Sequence, residues 1–221
     1  DSLDYMKARI VGVSFAVEPG CAAYVPLAHH DPDAPQQLDL EETLAKLKPL
    51  LEDPARGKIG HHLKYDMHVL ANHGVALQGI RYDTMLESYV LDSTATRHDM
   101  DSVALKYLGY ETVRYEDVAG KGAKQITFDQ VPVASAAPYA AEDADVTLRL
   151  HRELWPRLVE TPGLQSIYED IERPLVPILG AMEYHGVLLD TALLKRQSRE
   201  LEQGMAAAEA RCWHQPDADH P

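Results

Sequence analysis

The chain has 221 residues, of which 45% are hydrophobic and 25% are charged, a composition typical of a globular protein with enough apolar material for a core. The formal net charge of −14 argues against a general nucleic-acid binder, because phosphates attract basic surfaces, but argues less against an enzyme whose carboxylates hold metal ions. The apolar runs are too short to span a bilayer, and the widely separated Cys21 and Cys212 predict neither a disulfide framework nor a zinc site.

Strand and helix patterns alternate over the first part of the chain, which predicts an α/β layered domain. Val11, Val13 and Phe15 alternate on one face before the turn residues Pro19 and Gly20, as in a β-hairpin. In chain order, the patterns predict a hairpin over 8–29, a loop over 30–37, a helix from 39, a strand over 58–61, a helix over 63–74, a strand over 80–83, helices over 84–91 and 99–109, a Gly/Lys-rich loop over 120–125 and a long helix over 134–158.

Beyond residue 163 only helices are predicted. One carries an apolar stripe and ends at Gly186, and Asp190 is placed to cap a last helix. The tail over 212–221 has no periodicity and two prolines, which predicts fraying. We therefore expect an α/β domain over 1–163 and a helical segment over 164–221.

Two segments carry residues suited to metal chemistry. Tyr139 and Asp143 are four apart and share a face of the predicted helix, where they can position a water beside a metal, although a solvated face explains the spacing equally well. Asp66 lies in an otherwise apolar segment and is either a second metal ligand or a charge that favours the helix N-terminus. Four nearby histidines lack the spacing of a zinc protease, which leaves partly exposed side chains as the simpler interpretation: His61, His62, His68 and His73.

Three basic residues are candidate phosphate contacts. Arg97 lies in TRHDMDSVA, and Lys121 and Lys124 flank a flexible glycine, although surface ion pairs and a solvated loop are the ordinary alternatives. The chain contains no G-x-x-x-x-G-K-[ST] loop, no G-x-G-x-x-G fingerprint and no G-x-S-x-G elbow.

Taken together, the segments resemble the 3′–5′ exonuclease domain of the bacterial DNA polymerase I family (family A), the amino-terminal part of its Klenow fragment. The resemblance runs from Asp1 to about Ala208 and rests on segments that match in order: VGVSFAVEPGCAAYVPLAH, LKPLLED, LKYD, DTMLESYVLDS, RHDMDS, AGKGAKQITF and YAAEDADVTLRLH. The segment IERPLVPILGAMEYHGVLLD resembles the entry into the polymerase domain.

The resemblance implies a ribonuclease H-like fold and hydrolysis of the 3′-terminal phosphodiester with two divalent metal ions, Mg²⁺ or Mn²⁺. Asp143 would be a direct metal ligand, Asp66 would hold the second metal, and the Tyr139 hydroxyl would orient the attacking water. Such metals lower the pKa of bound water and stabilise the leaving oxygen, and they prefer oxygen ligands.

The family's remaining motif, Asp-x-Glu, would lie on a strand that ends just before Asp1. Asp1 and Asp4 are poor substitutes, because they are three apart and flank a predicted turn. We therefore expect the fold without its first strand and without two of the family's four metal carboxylates. The predicted consequence is that this chain is inactive as a nuclease.

The same resemblance implies contacts with the 3′ end of single-stranded or frayed DNA. Leu3 matches an apolar wedge residue and Tyr115 an aromatic stacking residue. Lys64 and Arg97 match positions near the phosphates, and His62 stands where the family is expected to have Asn. The parent is expected to be a monomeric cytoplasmic protein of DNA replication and repair, with a polymerase domain and without a membrane segment.

Other functions stay open at this stage. Some relatives keep the domain as a catalytically silent support, although Asp66, Tyr139 and Asp143 favour an active parent. An RNA exonuclease of the ribonuclease D type shares the Tyr-x-x-x-Asp pattern, but the polymerase-like segment argues against it. A generic acidic α/β binding domain is a more distant alternative.

Overall fold

The computed structural model describes residues 2–31 and 34–213 and divides into two compact units, with the boundary between Tyr184 and His185. The first unit contains β1 (Gly12–Glu18), β2 (Cys21–Pro26), α1 (Leu40–Leu51), β3 (Lys58–Gly60), α2 (Leu63–Ala71), β4 (Ile80–Asp83), α3 (Thr84–Leu91), α4 (Met100–Leu108), α5 (Tyr115–Ala119), α6 (Val133–Glu160), α7 (Leu164–Ser166), a π-helical turn (Ile167–Glu172) and α8 (Arg173–His185), whose last residue lies past the boundary. The second unit contains α9 (Thr191–Trp213).

The strands of the described residues form two separate two-stranded sheets. β1 and β2 pair antiparallel, with Gly12 opposite Pro26 and a register shift between Ala16 and Glu18. β3 and β4 pair in parallel across the crossover helix α2. Within residues 2–31 and 34–213, β1 pairs only with β2 and β3 only with β4, so each keeps an edge that no described strand covers.

A buried carboxylate at the end of β4 caps the helices on both sides of this parallel pair. Asp83, only 2% exposed, accepts from the N–H of His62 at 3.0 Å and of Leu63 at 2.8 Å, where α2 begins. It also caps α3 by accepting from the N–H of Met85 at 3.0 Å. The His62 side chain supplies no cap of its own, so Asp83 satisfies N–H groups that the start of α2 would otherwise leave unpaired.

The long helix α6 carries the largest fully buried stripe. Val146, Leu150 and Leu154 recur at four-residue spacing and are fully buried, as a helix period of 3.6 requires. Val103 and Ala104 of α4 pack against this stripe. The turn of the hairpin is tied to the same helix, since the N–H of Gly20 donates to Asp145 Oδ1 at 2.6 Å. The packing of α6 therefore fixes its position against α4, and the bond to Asp145 ties the β1–β2 hairpin to it.

The predicted order of strands and helices is confirmed over most of the chain. Asp39, at the predicted start of this helix, caps α1 by accepting from the N–H of Glu42 at 2.8 Å. The predictions missed α5 and the π-helical turn. The boundary between a domain over 1–163 and a segment over 164–221 stays a prediction, while the structure places residues 164–184 in the first compact unit.

The predicted fraying of the tail was wrong for its first two residues, since Cys212 and Trp213 end α9. The preceding run of good helix formers, Ala206–Glu209, explains why the helix continues. The rest of that tail, together with Pro32 of the predicted loop, lies outside the described residues. None of the helices in the described ranges is long and apolar enough to cross a membrane.

We expect the isosteric change Asp83→Asn to cost about 3 kcal/mol of unfolding free energy, because both oxygens of the buried carboxylate accept from N–H groups at the start of α2 and an amide nitrogen would face one of them. The matched change Asp39→Asn, at an exposed single cap, should cost less than about 1 kcal/mol, because Asn caps helices as well as Asp. Urea denaturation of both variants measures the difference, and equal losses would contradict the double-cap role.

Candidate functional site

A groove of about 600 Å³ lies between the open edges of β1 and β3. Its walls include residues 13–17 of β1 and 58–60 of β3, and residues of α1, α2, α4 and α6 also contribute to its lining. Most lining side chains are apolar, but Asp66 and Asp143 also belong to the lining. A slightly larger concavity of about 670 Å³ lies along α9, but a single helix builds it, so the groove is the candidate site.

Asp143 and Tyr139 project from neighbouring turns of α6. Burial raises the pKa of Asp143 to about 7, and the negative charges of Glu142 and Asp101 add to this effect. Burial also raises the pKa of the Tyr139 hydroxyl, and the adjacent Asp143 carboxylate, which accepts its hydrogen bond, raises it further. The predicted shared face is thus present, and it is half-buried.

Asp66 reaches the groove from the first turn of α2. Asp66 keeps exposed surface in the groove, while protein atoms surround its carboxyl group closely enough that desolvation raises its pKa to about 7. The charge of Asp83 acts in the same direction. Desolvation makes the ionised form of this carboxyl group unfavourable. A cation bound beside it would therefore stabilise the carboxylate.

The predicted stacking residue Tyr115 belongs to an aromatic cluster that includes Tyr139. The ring centroids of Tyr115 and Tyr139 are 6.4 Å apart, and Phe128 lies 5.8 Å from Tyr139 and 6.4 Å from Tyr115. The Tyr115 hydroxyl donates to the carbonyl of Ile126 at 3.2 Å, and 36% of the residue stays exposed. One face of the cluster is therefore open to a stacking partner.

The other predicted DNA-binding residues have different surroundings. Leu3 is 94% exposed, and the Arg97 side chain is 88% exposed beside Asp99 at 3.3 Å. His62 is exposed and has a left-handed φ of 62°. Lys64 Nζ donates a hydrogen bond to the carboxylate of Glu183 in α8. None of these four residues lines the groove itself.

The donor set of the groove suits a hard divalent cation but is incomplete in the described residues. Two carboxylates supply the oxygen ligands that Mg²⁺ and Mn²⁺ prefer. No group of three or more His, Cys, Asp or Glu side chains that could hold a metal occurs within the described ranges. The neighbouring histidines have other partners: His61 Nδ1 lies 2.9 Å from Thr84 Oγ1, and His73 Nε2 accepts from the N–H of Ile10 at 3.1 Å.

Sequence reasoning missed two residues near the site and one partner of a predicted DNA-binding residue. Asp101 raises the pKa of both Tyr139 and Asp143 and is held by the Thr112 hydroxyl at 2.7 Å. Phe128 joins the aromatic cluster, and Glu183 binds Lys64. Asp101 and Glu183 are far in sequence from the residues on which they act, and no helical or strand spacing links Phe128 to Tyr139.

Comparison with known proteins places these features in context. A family model described as 3′–5′ exonuclease matches residues 1–159. DNA polymerase I of Pseudomonas aeruginosa is 60% identical over 214 residues, which cover 96% of this chain and 23% of that protein. DNA polymerase I of Rhizobium leguminosarum is 44% identical over 225 residues, covering 94% of this chain and 22% of that protein. The chain thus spans less than a quarter of these curated relatives.

Solved structures share the fold. A structure described as the POL domain of Pol1 from M. smegmatis in complex with DNA primer-template and dNTP aligns with a TM-score of 0.62 and 25% identity, covering 91% of this chain and 32% of that one. The apo form of a nuclease aligns with a TM-score of 0.59 and 20% identity, covering 84% of this chain and 81% of that one.

The raised pKa of Asp143 predicts a pH-dependent stability cost. Because the folded pKa of about 7 exceeds the ordinary value of 3.8, the folded state loses stability as the pH rises from about 4 through 7. Asp143→Asn should therefore add about 2 kcal/mol to the unfolding free energy at pH 8, and the gain should shrink toward pH 5. Asp66→Asn should act in the same direction.

Asp92→Asn is the matched control, since the exposed Asp92 accepts from Thr94 and its pKa is lowered by those hydrogen bonds. This variant should lose stability at pH 8. Urea denaturation at both pH values measures the effects, and a loss of stability at pH 8 in Asp143→Asn would contradict the electrostatic account of the groove.

Proposed function

Since the chain belongs to the 3′–5′ exonuclease family, as its sequence predicted, we propose that it forms most of the proofreading domain of a DNA polymerase I. In the parent protein, this domain hydrolyses the 3′-terminal phosphodiester of single-stranded or frayed DNA. One observation carries the proposal: Asp66 and Asp143, from two different helices, line one groove at the open edges of two sheets. The curated relatives described above are DNA polymerases I, which supports the parent's identity.

Asp66 and Asp143 of the groove, and Tyr139 one turn from Asp143, each have a role in this proposal. Asp143 and Asp66 would hold two divalent ions, Mg²⁺ or Mn²⁺, which when bound supply an activated water and charge for the leaving 3′ oxygen. Both carboxyl groups must release a proton first, because their pKa values are near 7. Tyr139 donates its hydroxyl proton toward Asp143, so its oxygen is free to orient a water beside that carboxylate.

The open edges of β1 and β3 support the proposal that a further strand, which carries the remaining metal ligands, pairs there in the parent protein. An unpaired strand edge presents backbone N–H and C=O groups that another strand can pair with. We propose that in the parent protein the strand with the family's Asp-x-Glu motif lies in this groove and adds two carboxylates beside Asp66 and Asp143. Without them the affinity for metal is weak, and the 221-residue chain is inactive as a nuclease.

The frayed DNA end would reach the groove past the exposed side of the aromatic cluster. Tyr115 would stack on a base, Leu3 would wedge at the terminal bases, and Arg97 would contact a phosphate. Lys64 and His62, at the start of α2, would lie near the next phosphates. Exposure of Leu3 and Arg97 supports these roles, because their side chains are accessible without rearrangement.

A catalytically silent structural domain is the second candidate. The observation in its favour is that the described residues contain no three-ligand metal cluster. The raised pKa values of Asp66 and Asp143 argue against it, since a purely structural groove gains nothing from two carboxyl groups that destabilise it when ionised.

The direct test uses 5′-labelled single-stranded DNA with Mg²⁺ or Mn²⁺. The 221-residue chain should release no 3′ nucleotides. A version extended at its N-terminus by a strand with the Asp-x-Glu motif should digest the DNA from its 3′ end. Changing Asp143→Asn in that version should lower the rate at least about 100-fold, because a ligand of the metal is lost.

Three outcomes would contradict parts of this proposal. Robust digestion by the 221-residue chain would refute its inactivity. An extended version that folds but does not digest DNA would favour the silent domain. Faster digestion of RNA than of DNA with the same sequence would favour an RNA exonuclease.

A further inference from the structure

Three polar side chains connect α2 with α8 on the side of α2 that faces away from the groove lining. Glu183 of α8 accepts from Lys64 Nζ with one carboxylate oxygen, and its other oxygen lies 2.9 Å from His68 Nε2. A carboxylate only accepts, so His68 carries its proton on Nε2. We call these three residues, Lys64, His68 and Glu183, the α2–α8 ion cluster.

Packing around the cluster places Glu183 within reach of both partners. Gly180, one turn earlier in α8, lies so close to α2 that a Cβ there would collide with Cε of Met67. His68 is only 5% exposed, and the ring of Tyr5 stacks against it with centroids 4.7 Å apart. His68 is thus held by its surroundings, and the tip of the Met67 side chain occupies the space beside Gly180, where α8 packs against α2.

The Lys64–Glu183 pair itself remains open to solvent. The side chain of Lys64 is 25% exposed and that of Glu183 is 29% exposed. Hydrogen bonds from Lys64 and His68 lower the pKa of Glu183, so the carboxylate is ionised at neutral pH. Partly exposed ion pairs contribute little net stability, and an incoming anion can therefore exchange with the carboxylate.

We propose that Glu183 is a built-in competitor for a nucleic-acid phosphate at Lys64. In the protein without DNA, the Glu183 carboxylate accepts the hydrogen bond of Lys64. A phosphate must displace this carboxylate before it can bind Lys64. The inference deepens the proposed function, on which it rests, by adding regulation of DNA entry through α8. Any movement that draws α8 away from α2 would free Lys64 and strengthen binding of the DNA strand.

The competition is measured by fluorescence anisotropy with a labelled single-stranded oligothymidine in EDTA, where no cleavage occurs. Glu183→Gln should bind the DNA about 5-fold more tightly than the unchanged chain at low salt. Its dependence on salt should be steeper by about 0.7 in the slope of log affinity against log salt, the increment for one added phosphate contact. Thermal unfolding of the variant checks that it is folded.

Three controls separate this local effect from a change in overall charge. Glu160→Gln removes the same charge at the exposed end of α6 and should change the affinity less than 2-fold. Glu183→Asp keeps the charge but shortens the reach, and should tighten binding in the same direction as Glu183→Gln. The gain from Glu183→Gln should disappear in a chain that also carries Lys64→Ala.

The outcomes distinguish the two proposals. If the unchanged chain binds the DNA and Glu183→Gln binds it no more tightly, the competition is overturned while the proposed function stands. If the gain persists with Lys64→Ala, or Glu160→Gln gives the same gain, the effect is not at Lys64 and the competition is likewise overturned. If neither the unchanged chain nor Glu183→Gln binds DNA, the competition is overturned, and digestion of DNA by the extended version then decides the proposed function on its own.

Discussion

The structure depends on one buried carboxylate, that of Asp83, which caps two helices at once. The start of α2 has a left-handed residue and no cap of its own, so its first N–H groups find their partner 20 residues away in sequence, at the end of β4. The hydroxyl of Tyr168, fully buried in the π-helical turn, accepts in turn from the N–H of Asp83 at 2.7 Å. Asp83 therefore connects the end of β4 with the starts of α2 and α3 and with the π-helical turn. Asp66 lies in the first turn of α2, the helix that Asp83 caps.

The groove shows a conflict between stability and chemistry. Two sheets that would bury their edges in a complete layered domain leave them uncovered here, with apolar residues on both sides. Into this space project two carboxyl groups that lose solvation and resist ionisation. Such an arrangement lowers stability at neutral pH unless a cation or a further strand offsets it. The proposed metal nuclease would make use of both features.

Local patterns predicted the elements well where a local cause determines them. The cap at Asp39, the strand at Ile80–Asp83 and the left-handed backbone at Gly74, three residues after α2 ends, follow from residues within one turn of each site. The spacing of Tyr139 and Asp143 predicted a shared face but not whether that face points to solvent or to a groove. That choice depends on tertiary packing, and the family resemblance, not the spacing, indicated it.

Long-range partners escaped prediction for a physical reason. Lys64 is an ordinary basic residue in sequence, and only the fold shows that Glu183, 119 positions later, occupies it. Asp83 is the last residue of a short strand, with no pattern that indicates a double cap. The sequence predicted the apolar stripe of α8, yet Ile178 and Met182 of that stripe are 53% and 63% exposed. Periodicity predicts which residues share an apolar face, but it does not predict which part of the protein packs against that face.

The central claim is that Asp66 and Asp143 are two ligands of one divalent-metal centre. Paramagnetic broadening of backbone amide signals by Mn²⁺ tests it most directly, because broadening reports distance from the ion even when binding is weak. The account predicts that signals of α2 around Asp66 and of α6 around Asp143 broaden together as Mn²⁺ is added, and that Asp143→Asn removes both effects. Broadening at only one helix, or two effects that respond separately to this substitution, would contradict it.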